Sequence, residues 1–207
     1  MLAYTVGIVL PYPNDGKTTL MSYTITFTRP AMIHAAMVCQ SKERARYYLN
    51  GVFIERANDG VFIVSTDGHR LSLGHDANAT IAGEFPSGGV ILPIPKECQA
   101  RLKEGGKKQA ESVTYDAASN TFAIDCQSWR VEPIDGTFPD WRRVCPQEDV
   151  AATGAAFNAE YLADFGKISK AFGVTQTAAI RMRATEQGAP HWVDIGVPEW
   201  RGVLMPL

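Results

Sequence analysis

The sequence predicts an α+β fold built from three consecutive units, each consisting of a short strand, a helix and then three strands. Two observations support this prediction. Alternating apolar residues mark a series of short strands, and three segments carry apolar residues at helical spacing. The same order of elements recurs three times along 207 residues. We therefore expect helices on one face of antiparallel sheets.

The composition is that of an ordinary globular protein, with 45% hydrophobic and 20% charged residues. The cysteines Cys39, Cys98, Cys126 and Cys145 are widely spaced and form no CxxC motif, so we expect no metal and no cofactor. No apolar run approaches the ~20 residues of a membrane span, and the N-terminus does not resemble a signal peptide. The expected location is cytoplasmic, without membrane contact.

The first unit begins with the strand TITF at residues 24–27. Thr28 and Pro30 follow, and residues of these types commonly begin helices. The apolar stripe of this helix consists of Met32, Ala35, Ala36 and Cys39. The segments YYLNGVFIE, GVFIVSTD and HRLSLG follow as predicted strands.

The second unit begins with the strand GVILPI. Its helix carries Ile94, Cys98 and Leu102 four residues apart, and the pair Gly105-Gly106 ends it. The predicted strands that follow are SVTYDA, NTFAIDC and WRVEPI.

The third unit begins with the predicted strand ATGAAF. Asn158 caps a helix that Gly173 ends. The apolar stripe of this helix consists of Tyr161, Phe165, Ile168 and Phe172. The predicted strands that follow are TAAIRMRAT, HWVDIGV and RGVLMPL.

Basic residues lie off the apolar stripe in or after each predicted helix. They are Lys42, Arg44, Arg46, Lys96, Arg101, Lys103, Lys107, Lys108, Lys167 and Lys170. A solvated face explains any one such group, and basic residues near helix C-termini also suit the helix dipole. The net charge of −2 argues against bulk attraction of nucleic acid. Three repetitions nevertheless favour a shared polyanion such as duplex DNA, since phosphate contacts need charge and position only.

Residues 11–20, PYPNDGKTTL, do not form a nucleotide-binding loop, because the first glycine of that motif would fall at Pro11. The flanking segments alternate around a Pro-Asn-Asp-Gly turn. This pattern predicts a hairpin-like extension over residues 1–21.

The run STDGHRL at residues 65–71 places an acid, an imidazole and a guanidinium between two predicted strands. An acid–base site with Asp67 and His69 is one interpretation. The Asp-Gly pair favours a tight turn, and strand alternation would separate His69 from Arg70. The remaining histidines have no metal-binding spacing. We therefore expect no catalytic residue, and the chain is not expected to be an enzyme.

Two further segments suggest a surface groove. FPDWRRV at residues 138–144 combines aromatic residues with two arginines, and residues 202–207 are an apolar run. Such a run is usually a last core strand. If it lined a cleft together with Leu71 and Pro139, the result would be an apolar groove with an arginine rim, which is typical of a peptide-binding site.

Five segments, in this order, resemble the signature segments of the bacterial sliding clamp, the beta subunit of the replicative DNA polymerase. They are RYYLNGVFIE (46–55), STDGHRL (65–71), FPDWRRVCP (138–146), FNAEYLADFGK (157–167) and VLMPL (203–207). The resemblance implies the DNA-clamp fold. In that fold, pairs of units form domains, and the domains join into a ring that has helices inside and encloses duplex DNA.

The resemblance covers only part of a clamp. Residues 22–147 resemble the whole middle domain, and residues 151–207 resemble the second half of the last domain. By itself the third unit would leave a helix unpaired and a sheet edge open. Because the family's ring contains twelve units, three units per chain imply a homotetramer, or at minimum a dimer joined through residues 151–207.

The resemblance also implies two sets of contact residues. The pocket that accepts a short apolar peptide from polymerases and other clamp-binding proteins matches Leu49, Thr66, Gly68, His69, Arg70, Leu71, Pro139, Arg143, Val144, Val203, Leu204, Met205, Pro206 and Leu207. The inner, DNA-facing residues match Arg44, Lys96, Arg101, Lys103, Lys167 and Lys170. Trp141 stands where the family usually has tyrosine, and the family's usual final basic residue and leucine do not follow Leu207.

Two functions fit these expectations. One is a reduced sliding clamp, a non-enzymatic processivity factor that encircles DNA as a homo-oligomer. The other is a clamp mimic that forms no ring and binds clamp-binding peptides or the host clamp to modulate replication. The repeated basic helices favour the first, and the small net charge favours the second.

Overall fold

The computed structural model describes residues 22–103, 110–146, 155–174, 180–184 and 188–207. The hairpin predicted over residues 1–21 lies outside them. The strands, in chain order, are β1 (Tyr23–Phe27), β2 (Val52–Arg56), β3 (Val61–Thr66), β4 (Arg70–Asp76), β5 (Thr80–Gly83), β6 (Val90–Leu92), β7 (Val113–Asp116), β8 (Thr121–Ile124), β9 (Gln127–Arg130), β10 (Arg181–Ala184), β11 (His191–Asp194) and β12 (Trp200–Leu204). The helices are α1 (Pro30–Cys39) and α2 (Ala159–Ala171), with short 3-10 helices at Tyr47–Leu49, Lys96–Cys98 and Trp141–Val144.

The strands form two antiparallel sheets. One has five strands in the order β5-β1-β7-β8-β9, and the other has seven in the order β10-β11-β12-β4-β3-β2-β6. The predicted α+β class is therefore confirmed. The short strand β5 was not predicted from the sequence, because its residues Thr-Ile-Ala-Gly give no long alternation.

The first two units exchange their leading strands. β1 pairs with β7 of the second unit, and β6 pairs with β2 of the first. In β1 the residues alternate between buried and half-buried, as expected for a strand with one face on the core. The exchange joins residues that are far apart in the chain, so the two units share one core.

Helix α1 lies in the centre of that core, and nine of its ten residues are buried. Its N-terminus has no capping side chain of its own. The buried carboxylate of Asp76, at the end of β4, accepts hydrogen bonds from the backbone N–H groups of Thr28 at 2.7 Å and Arg29 at 3.0 Å. This contact fixes the start of α1 against the seven-stranded sheet.

The second unit contains no α-helix at residues 94–103, where the sequence spacing predicts one. A 3-10 helix of three residues, Lys96–Cys98, stands there instead, followed by turns with i to i−3 hydrogen bonds. Ile94, Cys98 and Leu102 are nevertheless all buried. The spacing therefore identified the buried side correctly, although Pro93 and Pro95 leave little room for regular helical hydrogen bonds before residue 96.

The third unit attaches directly to the first. β12 pairs with β4 from Trp200 opposite Gly74 to Leu204 opposite Arg70, and α2 packs against α1. Trp200 is 1% exposed, and its indole N–H donates to Ser72 Oγ at 2.9 Å. The expectation that the third unit leaves its helix unpaired is therefore wrong, because α1 supplies the neighbour for α2.

Other parts of the third unit can be compared with expectation. Asn158 caps α2, accepting a hydrogen bond from the Glu160 backbone N–H at 2.8 Å, as predicted. Residues 152–154 of the predicted strand ATGAAF lie outside the described residues, and Ala155–Phe157 are not in a strand. Neither α1 nor α2 has the length and apolarity of a membrane-spanning helix.

Candidate functional site

A cavity of about 240 Å³ opens where three distant parts of the chain meet. Its walls come from residues 46–71, which include the 3-10 helix near Leu49 and the turn between β3 and β4, from the segment 138–144 and from the end of β12. The lining residues are Arg46, Tyr48, Leu49, Thr66, Gly68, Arg70, Leu71, Phe138, Pro139, Asp140, Trp141, Val144, Val203 and Met205. Most of the lining surface is apolar.

The turn between β3 and β4 forms the first wall. Gly68 has φ of 91°, a conformation that L side chains rarely adopt, so the predicted Asp-Gly turn is confirmed. The Asp67 carboxylate accepts hydrogen bonds from the backbone N–H groups of His69 at 3.0 Å and Arg70 at 3.1 Å. Thr66 Oγ donates to the Arg70 carbonyl at 2.7 Å. Asp67 therefore has a structural role in this turn.

The segment 138–144 forms the second wall. Phe138 stacks on Phe53 with ring centroids 4.5 Å apart, and the indole N–H of Trp141 donates to Glu55 at 3.0 Å. The Arg142 guanidinium lies over the Trp141 ring at 4.1 Å from its centroid. These contacts hold the aromatic residues against β2, so the wall is built before any ligand arrives.

The end of β12 forms the third wall. Val203 lies opposite Leu71 in the register of β12 and β4, and the Met205 backbone N–H donates to the His69 carbonyl at 3.1 Å. The side chain of Met205 remains 37% exposed. A flexible apolar side chain at the mouth of an apolar cavity can adapt to an entering group.

An ion-pair cluster lies beside the cavity and connects it to α2. The Arg70 guanidinium donates to Asp67 at 3.1 Å, to Asp164 of α2 and to the Val38 carbonyl at 3.2 Å. It also lies 4.7 Å from the ring centroid of Tyr161. Burial alone raises the pKa of Asp164, but hydrogen bonds from Lys167 and Arg70 outweigh it and hold that pKa below its ordinary value. The cluster therefore stays charged and fixes the cavity wall to the third unit.

Nine of the fourteen residues predicted for a pocket line this cavity. The five that do not are His69, Arg143, Leu204, Pro206 and Leu207. His69 instead stacks on Tyr161 with centroids 5.9 Å apart. Leu204 is fully buried in the main core, because neighbouring strand residues point to opposite faces. Arg143 and Leu207 are exposed.

Five lining residues were not predicted: Arg46, Tyr48, Phe138, Asp140 and Trp141. All five lie within the sequence segments RYYLNGVFIE and FPDWRRV. The aromatic residues beside the arginines were the available signal for this wall.

A second cleft of about 400 Å³ lies between α1, α2 and the turns around residues 96–103. Lys96, Lys103, Lys167 and Lys170 all line it, so four of the six predicted DNA-facing residues are brought together. The other lining residues are His34, Val38, Gln99 and Ala100. We call this feature the lysine cleft. No carboxylate is among its described lining residues.

The other two predicted DNA-facing residues lie elsewhere. Arg101 does not line the lysine cleft, because its guanidinium pairs with Asp125 and donates to Gln127 at 2.6 Å. Arg44 is exposed and does not line the cleft either.

His34 lines the lysine cleft from α1 and is only 4% exposed. Its Nδ1 atom is buried and has no hydrogen-bond partner among the residues that the structure describes. Burial and, to a lesser extent, the charge of Lys103 lower the pKa of His34 to about 4, although a hydrogen bond with the Gln99 backbone acts in the opposite direction. His34 is therefore neutral at physiological pH, and sequence reasoning did not single it out for this position.

Comparison with known proteins identifies similar chains. Residues 27–140, more than half of the chain, match the family described as DNA polymerase III beta subunit, central domain. The beta sliding clamp of Escherichia coli strain K12 is 31% identical over 143 residues, covering 66% of this chain and 37% of that protein. The beta sliding clamp of Caulobacter vibrioides strain NA1000 is 32% identical over 113 residues, covering 53% of this chain and 30% of that protein.

Solved structures show the same fold. A Caulobacter crescentus beta sliding clamp superposes with a TM-score of 0.62 at 21% identity, covering 99% of this chain and 69% of that one. The clamp from Pseudomonas aeruginosa gives a TM-score of 0.63 at 17% identity, covering 96% of this chain and 70% of that one. The chain spans about a third of the length of the curated relatives that it matches.

Proposed function

Since this chain belongs to the DNA polymerase III beta subunit family, the sliding clamps, we propose that it is a non-enzymatic processivity factor that holds partner proteins on duplex DNA. Two surfaces support the proposal, namely the apolar cavity and the lysine cleft. The cavity is the stronger of the two observations, because three distant parts of the chain converge to build it.

We propose that the cavity binds a short apolar peptide from a polymerase or another clamp-binding protein. Leu49, Leu71 and Val203 give it an apolar floor, and a pocket of this kind can bury one or two anchor side chains. Each well-buried anchor typically contributes about 2 kcal/mol or more. Arg46 and Asp140 at the lining offer polar contacts for the peptide backbone or its flanking residues.

The test is a titration with a fluorescent peptide carrying the clamp-binding motif of a bacterial replicative polymerase. Met205→Ala removes an exposed apolar wall residue and should weaken binding about tenfold or more. Leu207→Ala is the matched control, because Leu207 is 87% exposed and does not line the cavity. Equal affinities for Met205→Ala and the unsubstituted chain would refute the pocket.

We further propose that the face bearing the lysine cleft meets the phosphate backbone of duplex DNA. The contacts would be non-specific, as sliding requires, and each phosphate contact would contribute a slope of about 0.9 in log affinity against log salt. Glutamate substitutions at Lys103 and Lys170 should shorten retention on closed circular DNA and reduce its salt dependence. If retention on circular DNA changes neither with salt nor with these substitutions, this face does not contact DNA.

We propose a homo-oligomeric ring as the DNA-encircling form, with a tetramer favoured over a dimer. Among the described residues, β10 is the last strand of the seven-stranded sheet and pairs on one side only. The first two units exchange strands, and the third unit would complete its domain by the same exchange with a second copy. In this proposal residues 22–147 act as one clamp domain and residues 151–207 as half of another.

A second candidate function is a clamp mimic that binds clamp-binding peptides or the host clamp without forming a ring. The net charge of −2 favours it, because a strongly basic surface is not available to hold DNA by bulk attraction. A stable monomer that binds the peptide but is not retained on circular DNA would favour this alternative.

A further inference from the structure

We propose that β9 is a second self-pairing edge of the molecule, at which two copies of this chain join around a two-fold axis. Neighbouring chains of the ring then run in opposite directions along the DNA. This contact rests on the proposed ring, to which it adds the second interface and the relative direction of the chains. Its basis is the way in which the three units join within one chain.

The units join in two ways. In the first, the leading strand of one unit pairs with the first of the three later strands of another unit, as β1 does with β7 and β6 does with β2. In the second, the last strands of two units pair with each other, as β4 does with β12 over five residue pairs. We call these the exchange contact and the last-strand contact.

Three units in one chain leave one contact of each kind open. The first unit makes both contacts, the second unit makes only the exchange contact, and the third makes only the last-strand contact. Within the described residues, β9 therefore lacks a last-strand partner, and β10 lacks an exchange partner. Head-to-tail pairing of β9 with β10 would be a contact of a kind that the described units do not make. Each edge is instead matched by the same edge of a second copy.

The other two sheet edges, β5 and β6, take part in neither kind of contact. β5 pairs with β1 over four residues and ends at Gly83, whose φ is 92°. β6 is met by the segment after β9, because the Ile134 backbone N–H donates to the Ile91 carbonyl at 2.9 Å. These edges therefore do not compete with β9 for a second copy.

The backbone of β9 is available for pairing. Three of its four residues are exposed, and Trp129 is half-buried against the main core. The Val131 N–H donates to the Asn120 carbonyl at 2.7 Å, on the side of β8. Backbone groups alternate in direction along an antiparallel strand, so Ser128 and Arg130 direct their N–H and C=O groups away from β8.

A two-fold axis through Trp129 pairs these outward groups. Ser128 of each copy then lies opposite Arg130 of the other, and both outward residues of each β9 strand are paired. The two Trp129 side chains lie directly opposite each other across the axis, and aromatic pairs of this kind stabilise antiparallel strands. An axis through Arg130 would instead place two guanidinium groups opposite each other, which is unfavourable.

The two-fold axis reverses the direction of the next chain. In a ring, an axis that relates two neighbours across their contact lies in the plane of the ring. A peptide-binding cavity above that plane in one chain therefore lies below it in the next. Because the exchange contact of β10 has the same symmetry, the number of chains is even, in agreement with a tetramer, and both faces of the ring carry cavities.

The first experiment measures the mass of Ser128→Pro by light scattering coupled to size exclusion. Proline removes the outward N–H of residue 128 and is tolerated in edge strands at such positions, so β9 keeps its pairing with β8. Ser87→Pro is the matched control. Ser87 is exposed in a turn closed by the Gly89 N–H and the Pro86 carbonyl at 3.1 Å, where proline is favoured at the second position.

We expect the unsubstituted chain and Ser87→Pro to be tetramers, and Ser128→Pro to have twice the chain mass of 22.6 kDa with an unchanged circular dichroism spectrum. The dimer that remains is joined through β10. A tetrameric mass for Ser128→Pro would overturn the β9 contact.

The second experiment tests the two-fold axis by disulfide formation. Trp129→Cys is made in a chain in which the exposed Cys126 is replaced by serine. A cysteine reaches its own copy only when it lies close to a two-fold axis, since a disulfide needs Cβ atoms about 4 Å apart. We expect a covalent dimer on a non-reducing gel, whereas Ser119→Cys, in the exposed turn before β8, should stay monomeric. A folded Trp129→Cys protein without the covalent dimer would contradict the axis.

The two contacts can fail separately. If the unsubstituted chain is a dimer and Ser128→Pro is a monomer, the β9 contact stands and the proposed exchange through β10 is wrong. If both proteins are dimers, the β9 contact is wrong and the exchange through β10 stands. A monomeric unsubstituted chain excludes both contacts and the ring, whereas the peptide titration still decides the cavity.

Discussion

Arg70 shows how much a single side chain does at the cavity. It lines the wall, neutralises Asp67 and Asp164, and lies against the ring of Tyr161. From the sequence, the acid, imidazole and guanidinium of STDGHRL admitted an acid–base site. The structure instead uses Asp67 to shape the turn and Arg70 to join two units.

His34 is expected to make stability depend on pH. Its pKa in the folded chain, about 4, lies below the ordinary value of 6.5, so the unfolded chain binds the proton more tightly. The contribution of His34 is complete above pH 6.5 and is lost as pH falls toward 4, by at most about 3 kcal/mol. Urea unfolding between pH 7.5 and 4.5 measures this loss.

His34→Gln should flatten the pH dependence in that window, because glutamine does not titrate. The charged groups that line the cleft beside His34 are Lys96, Lys103, Lys167 and Lys170. The same pH slope in both proteins would contradict the assignment to His34.

At the scale of elements, β12 and α2 are in close contact through Gly202. A Cβ atom at residue 202 would lie 2.5 Å from Phe165 Cε1 and 2.9 Å from the Trp200 ring. Both rings are buried, so neither can move freely. We expect Gly202→Ala to destabilise the chain by about 1–3 kcal/mol in chemical unfolding.

Gly166→Ala is the matched control, because Gly166 lies on the same helix but away from the contact with Gly202. Gly166 lies in α2, and a Cβ there meets nothing within 4 Å. Alanine in a helix is favoured over glycine by roughly 0.5–1 kcal/mol, so this variant should be unchanged or more stable. A loss of stability in Gly166→Ala equal to that in Gly202→Ala would contradict the packing of α2 on β12.

The ion pair between Arg70 and Asp164 connects the β3–β4 turn to α2. Its side chains are only 10% and 18% exposed, so solvent screens the pair weakly. Asp164→Ala should cost about 2 kcal/mol of stability, because Arg70 loses a charged acceptor. Glu132→Ala breaks the exposed pair with Arg130 and should change stability very little. Urea unfolding of the two variants measures the difference. An equal free energy of unfolding in both would show that the connection between Arg70 and Asp164 does not stabilise the fold.

Sequence patterns predicted elements well where the core is regular. Most strands and both α-helices were found, because alternation and helical spacing reflect burial directly. The second unit was predicted to contain an α-helix with Ile94, Cys98 and Leu102, and a short 3-10 helix stands there instead. Prolines at 93 and 95 oppose regular helical hydrogen bonds, and the spacing specifies only the buried side. The contact between α2 and α1 was missed, because it depends on a strand pairing that no local pattern encodes.

At the scale of the whole molecule, the proposed ring makes a definite mass prediction. Light scattering coupled to size exclusion should give four times 22.6 kDa, or twice that mass for the minimal dimer. Within the described ranges no strand pairs with the outer side of β10, which supports association, because an unpaired strand edge attracts another strand. If the mass is that of a monomer at all protein concentrations, the ring is excluded and the clamp mimic remains as the proposed function.

The cavity could be predicted only in part, because residues far apart in the chain build its walls. Nine residues followed from matching segments, but Leu204 and Leu207 were included because a terminal apolar run does not reveal which of its residues face inward. The pairing of Val203 with Leu71 decides that question, and it joins residues more than 130 positions apart.

The same pairing has a consequence for synthesis on the ribosome. The walls around Leu49, Leu71 and Trp141 are translated first, and the wall of Val203 and Met205 follows about 60 residues after them. A nascent chain therefore cannot offer a complete cavity to a partner. Under the proposed function, only a chain translated through residue 205 and folded would bind a partner peptide.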